Sequence, residues 1–106
     1  RFALYRSPYT VLLANRTEKA DAEEAMRCSV VGRCCESGDI LQENVRMPRT
    51  VARGDLLAVL TTGAYNYSMS SNYNRIPRPP VVMLRGGESY LAVKRETPED
   101  VCRNDL

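Results

Sequence analysis

Three of the four residues from 77 to 80 are proline, and no other feature restricts the chain so tightly. Each proline holds φ at about −65° and removes a backbone donor, so residues 75–80 are expected to run extended and to stay out of the middle of a sheet. Two short runs of β-formers follow at once, Val81–Leu84 and Tyr90–Lys94, with Gly86-Gly87 between them. Paired glycines tolerate the positive φ of a tight hairpin turn, and the two runs predict a β-hairpin.

Earlier segments read in the same way. Tyr9–Ala14 is entered after Pro8 and left through Asn15, which predicts a strand buried on both faces. Glu18–Glu24 is charged and alanine-rich; seven residues make a marginal helix, so a charged connection is expected, with a helical turn as the alternative. Met26–Gly32 alternates and then runs apolar through Val30-Val31, a second strand that delivers the chain to Cys34 and Cys35. Ile40–Val45, with Pro48 behind it, reads as one irregular turn or a short strand. Arg53-Gly54-Asp55 is turn chemistry, and the apolar run Leu56–Thr61 behind it is the expected central strand. That strand leaves through Gly63-Ala64-Tyr65 into a polar, aromatic stretch that ends at Asn74.

At the C-terminus, Thr97 is a cap residue, Pro98 suits the first helical position, and Glu99 and Asp100 suit the first turn, so a short helix to about Asp105 is expected. Short, closely spaced strands with little helix predict an all-β fold, a small Greek-key-like barrel or sandwich closed by that helix. With 106 residues, 43% hydrophobic and 26% charged, the chain has one domain's worth of sequence and a modest core. No internal repeat or linker interrupts it. Arg1-Phe2-Ala3-Leu4-Tyr5 lacks an initiator Met and runs almost at once into strand-like sequence, which predicts a piece of a longer chain.

Charge and cysteine usage narrow the partners. The net charge is only +2, and the arginines are scattered from Arg1 to Arg103 instead of forming a stripe, so nucleic acid is not expected to bind. No apolar run is long enough to cross a membrane as a helix. Cys28, Cys34, Cys35 and Cys102 contain no C-x-x-C pair, and there is no histidine to complete a zinc site. Reduced thiols in a cytoplasmic protein are the simplest expectation, with no structural metal.

The absence of histidine also excludes Ser-His and Cys-His nucleophile pairs within the chain. Cys35-Glu36-Ser37-Gly38-Asp39 then stands out, because a thiol and a carboxylate on consecutive residues cannot both face one core. A thiol of ordinary pKa, about 8.5, is mostly protonated at neutral pH and can act as an acid. An inert cysteine in a surface loop is the bland alternative.

Four ordered segments decide between these readings. Cys35-Glu36-Ser37-Gly38-Asp39, Gly63-Ala64-Tyr65 and Met69-Ser70-Ser71-Asn72-Tyr73-Asn74 resemble the C-terminal β-domain of the diaminopimelate decarboxylase family, and Arg1–Tyr5 resembles that family's R-P-x-L-Y segment. Lys94-Arg95-Glu96-Thr97 is a fainter match to R-R-E-T. The resemblance runs from Arg1 to about Asp105. It implies fold-type III pyridoxal-phosphate chemistry, in which a TIM-like barrel domain carries most of the cofactor and the β-domain completes a site shared across a homodimer.

By that resemblance Cys35 would protonate the substrate carbanion after carbon dioxide leaves. Glu36 would hold the distal ammonium, Arg1 and Tyr5 the distal carboxylate, and Tyr65 would touch both cofactor and substrate. An arginine for a carboxylate and a glutamate for an ammonium suit the second amino-acid centre of meso-diaminopimelate, whose decarboxylation yields L-lysine. The ornithine decarboxylase branch places an aspartate after its cysteine, and Glu36 favours diaminopimelate over another basic amino acid such as ornithine. Phe2 stands where proline is usual and Ser70 where alanine is common. Lys19 and Lys94, the only lysines, lie in contexts unlike the family's Schiff-base segment, so the chain alone is expected to be inactive. A non-catalytic β-domain that binds or assembles with a partner is the rival reading.

For the other polar residues the structural reading leads. Tyr67 and Tyr73 are expected to pack the loop or a dimer interface, and Asp39 and Asp55 to bond backbone amides in turns. Cys28, Cys34 and Cys102 are expected to be structural thiols, and Arg46, Arg49 and Arg53 a solvated face.

Overall fold

The computed structural model describes residues 8–15 and 24–106. Within them the chain is mostly strand with one short C-terminal helix, the all-β class expected, and no helix is long and apolar enough to cross a membrane. It divides into two compact units, Arg1–Tyr65 and Asn66–Leu106.

The first unit is built on two antiparallel ladders. Strand β1 (Val11–Leu13) pairs with β4 (Leu57–Val59), Leu12 opposite Ala58. Beyond the ladder Asn15 prolongs the pairing: its side-chain oxygen accepts from the Leu56 amide at 2.9 Å, and its amide nitrogen donates to Asp55 at 3.1 Å. Asp55 also accepts from the Ala52 amide at 2.8 Å, the turn role expected of it.

Strand β2 (Ala25–Val31) pairs with β3 (Ile40–Pro48), the longest strand described. Side chains on β3 alternate, so Val45 and Met47 turn inward while Asn44 and Arg46 face water. Val11 joins Val45 and Met47 in the buried core, and Met26, Cys28, Val30, Val51 and Val59 pack against it. Burying each such side chain contributes about 1.5–3 kcal/mol. The β2–β3 register slips between Cys28 and Val31, and irregularities of this kind re-aim the residues that follow them.

Three expectations need correction. Of the two readings of residues 40–45 the strand holds, but it is longer than expected: nine residues, Ile40–Pro48, because Pro48 falls at its last position and the ladder is carried past it by the Arg49 amide on the Glu24 carbonyl at 2.8 Å. The apolar run at 56–61 is no central strand: only Leu57–Val59 is paired, with β1 alone among the described residues, and Leu56 stays 63% exposed. Likewise Tyr9–Ala14 is buried on one face only, with Val11 inward and Leu12 half exposed. An apolar run shows that a strand can be buried, but the number of covered faces depends on what packs against it. The charged stretch from Glu18 lies outside the described residues up to Glu24.

In the second unit β5 (Val81–Arg85) and β6 (Glu88–Val93) form the expected hairpin. Gly86 and Gly87 take φ of 58° and 77°, the left-handed pair that a two-residue turn of this hand requires. Helix α1 (Pro98–Cys102) stops short of Asp105. Its start is a capping box: Thr97 Oγ1 accepts from the Asp100 amide at 3.2 Å, while Asp100 accepts from the Thr97 amide at 2.8 Å. These bonds hold the Asp100 carboxyl below its usual pKa.

Candidate active site

Cys35 and Glu36 sit on the loop that joins β2 to β3, residues 32–39, and both are exposed. Four backbone amides of this loop, those of Gly32, Cys34, Glu36 and Asp39, donate bonds that shape it. The Gly32 amide donates to the Asp39 carbonyl at 2.8 Å and closes the base. The Glu36 amide donates to the Cys34 carbonyl at 2.8 Å, which makes Cys35 the apex of a three-residue turn. The Asp39 amide donates to the Glu36 carbonyl at 3.1 Å, so residues 36–39 form the following turn. An apex residue cannot bury its side chain within its own turn, and the thiol of Cys35 is presented outward.

Asp39 braces the loop from inside. Its Oδ2 accepts from the Cys34 amide at 2.8 Å, the turn role expected of it. The same carboxylate lies over Gly32, where a Cβ would stand 2.1–2.4 Å from Asp39 Oδ2, Oδ1 and Cγ. Partial burial, and then the Asp39 charge, push the Cys34 thiol above its ordinary pKa, so it stays neutral beside Cys35. Glu36 folds over its own turn, with Ser37 Oγ donating to Oε1 at 3.5 Å.

Tyr65 is the last residue of the first unit and is 68% exposed, on the segment that leaves β4. Thr61, on the way to it, holds φ at 58°, a left-handed value that is costly for a β-branched residue. Arg1 and Tyr5 lie outside the described residues. Cys28 is half-buried against the core and its thiol donates to the Val45 carbonyl at 3.7 Å, whereas Cys102 is exposed, with Arg75 Nη1 3.2 Å from its sulfur. None of the four cysteines is in a disulfide. Arg46, Arg49 and Arg53 are all exposed. A shallow depression of about 210 Å³, lined by Ala25, Met26, Arg27 and Arg46, lies at the other end of the β2–β3 ladder from Cys35.

Sequence reasoning missed Arg78. Within the second unit its guanidinium donates to Asn72 Oδ1 and Glu96 Oε1, both at 2.9 Å, to Ser70 Oγ at 3.1 Å and to the Ser70 carbonyl at 3.1 Å. Glu96 Oε2 accepts from the Arg78 amide at 2.7 Å and from Asn72 Nδ2 at 2.6 Å. These bonds pull the Glu96 carboxyl down to about 2. The segment containing Tyr67 and Tyr73, both partly exposed, is thereby tied to the end of β6. Ser70, where alanine is common in the resembled family, supplies a hydroxyl that alanine lacks. The signal lay in two motifs, one containing Asn72 and the other Glu96, that share one partner between them.

Comparison with known proteins identifies the family. Residues 1–63 match the family described as pyridoxal-dependent decarboxylase, C-terminal sheet domain. The whole chain is 52% identical to the diaminopimelate decarboxylase of Bacillus subtilis, and 99% of it is 44% identical to that of Staphylococcus aureus. It covers 23% and 24% of those two proteins, about a quarter of the length of the curated relatives it matches. The crystal structure of diaminopimelate decarboxylase from M. jannaschii in complex with L-lysine superposes over the full chain with a TM-score of 0.85 at 31% identity, using 23% of that protein. By fold, and by a sequence match covering more than half its length, the chain belongs to the C-terminal sheet domains of the pyridoxal-dependent decarboxylases.

Proposed function

We propose that the chain is the C-terminal β-domain of a cytoplasmic diaminopimelate decarboxylase, completing sites shared across a homodimer with the TIM-like barrel domain of the same enzyme. The reading rests on one observation: Cys35 and Glu36 stand exposed, side by side, on a braced loop of a chain that is 52% identical to a diaminopimelate decarboxylase.

Among the described residues Lys94 is the one lysine, exposed beyond β6, and Tyr65 offers an exposed aromatic face. Lys94 lies in a context unlike the Schiff-base segment, so attachment of pyridoxal phosphate falls to the barrel domain, while the Tyr65 ring suits contact with the cofactor. The cofactor, when bound, supplies the electron sink for loss of carbon dioxide. Cys35 delivers the proton from Sγ to the α-carbon that carbon dioxide has left, and solvent reprotonates the thiolate. Glu36 pairs with the distal ammonium, while Arg1 and Tyr5 hold the distal carboxylate. Tyr65 orients cofactor and substrate against each other.

The test is the complete enzyme, barrel included, with lysine formation from meso-diaminopimelate as readout. Cys35→Ala is expected to lower kcat by about 10²-fold or more, as removal of a general acid does. Unchanged turnover would remove Cys35 from the reaction, and faster decarboxylation of ornithine would move the substrate assignment to the other branch.

A further inference from the structure

We propose that Asp39, seated on Gly32, is a positioning residue that sets where Cys35 meets the substrate. The proposal rests on the reading of Cys35 as the proton donor. Cys35 stands at the apex of a turn whose first residue, Cys34, is held through its amide by Asp39 Oδ2 at 2.8 Å. That carboxylate can reach the amide because the space beside it is empty of side chain: a Cβ on Gly32 would lie within 2.1–2.4 Å of three Asp39 atoms.

Backbone freedom is not what glycine provides at position 32. Its φ is not positive, unlike those of Gly54, Gly86 and Gly87, so alanine suits the backbone, and its methyl would make the Asp39 carboxylate shift. Gly32 and Asp39 are joined again through the Gly32 amide and the Asp39 carbonyl at 2.8 Å. The two residues thus form a clasp at the base of the loop, closed by one bond between them, a second from the Cys34 amide to Asp39, and one missing methyl. Displacing the carboxylate releases the Cys34 amide and lets the apex drift. A drift of about 1 Å at a reacting group can cost on the order of 10²-fold in rate.

The experiment uses the full-length enzyme loaded with cofactor. Asp39→Ala, Asp39→Asn and Gly32→Ala are each made alone and on Cys35→Ala, and kcat is measured per loaded site. Asp39→Ala and Gly32→Ala are expected to lower kcat by about 10- to 100-fold. Asp39→Asn keeps an oxygen for the Cys34 amide and is expected to stay within about threefold of the parent, since a neutral acceptor makes the same bond more weakly. On Cys35→Ala the further loss is expected to be under about twofold, because the residue acts through a group already removed.

Equal fold losses with and without Cys35 would overturn the positioning role, as would Gly32→Ala turning over like the parent. Should Asp39→Ala fail to fold, Gly32→Ala and Asp39→Asn decide the question by the same comparison. A parent enzyme that makes no lysine sinks the decarboxylase reading itself; an active parent indifferent to these changes sinks only the clasp.

Discussion

Glu96 grips Arg78 with both carboxylate oxygens, taking the backbone amide at 2.7 Å on one and the guanidinium at 2.9 Å on the other. Its pKa falls from 4.5 to about 2, with the Arg78 amide as first cause, then the side chains of Asn72 and Arg78. A depressed carboxyl contributes stability that is fully present above pH 4.5 and is lost as pH falls through about 2. Glu96→Gln is therefore expected to lower the thermal midpoint of the second unit near neutrality, with the gap to the parent closing between pH 4.5 and about 2. A gap of constant size across that range would show that the carboxylate is not what the clamp uses.

Met47 is 3% exposed, the most buried of the core side chains Val11, Val45 and Met47. Met47→Ala should cost about 2–5 kcal/mol, read as a shifted denaturant midpoint. Met47→Leu, close in volume, should cost less than about 1.5 kcal/mol. Equal losses for both would point to a local clash rather than a cavity.

Thr61 pays for its φ of 58° with backbone strain that asparagine tolerates better. Thr61→Asn is expected to stabilise the first unit by about 1 kcal/mol, the lower end of what such a conformation costs. Chemical denaturation measures it, and a loss of stability would mean that the threonine side chain contributes more than its strain takes away.

Glu36→Gln keeps the size of the side chain and removes its charge. In the complete enzyme KM for diaminopimelate should rise about tenfold or more, as expected from losing a charged hydrogen bond of about 1.5–3 kcal/mol. An amino acid with no distal ammonium should bind as before. Equal weakening of both ligands would take the distal amine away from Glu36.

Where the determinants were neighbours in the chain, the sequence was a sufficient guide. Gly86-Gly87 is a hairpin turn, and Thr97-Pro98-Glu99-Asp100 begins a helix, because each outcome depends on groups within three residues of one another. Cys35 and Glu36 could be singled out from their adjacency, and the loop that presents them follows from the turn residues around them. Leu56–Thr61 misled for the opposite reason: hydrophobicity says what a strand would bury if it were covered, and nothing local tells how much of it is.

The sequence alone thus determined the class of fold, its turns and the adjacent pair, Cys35 and Glu36, on which the proposed chemistry rests. Tertiary structure decided the rest. It drew residues 40–48 into one strand by pairing them with β2, brought Arg78 to Glu96 across 18 positions and Asn72 to Glu96 across 24, and laid Asp39 on the bare face of Gly32. These relations come into being only when strands pair: β5 with β6 for the groups around Glu96, and β2 with β3, on either side of their loop, for Gly32 and Asp39.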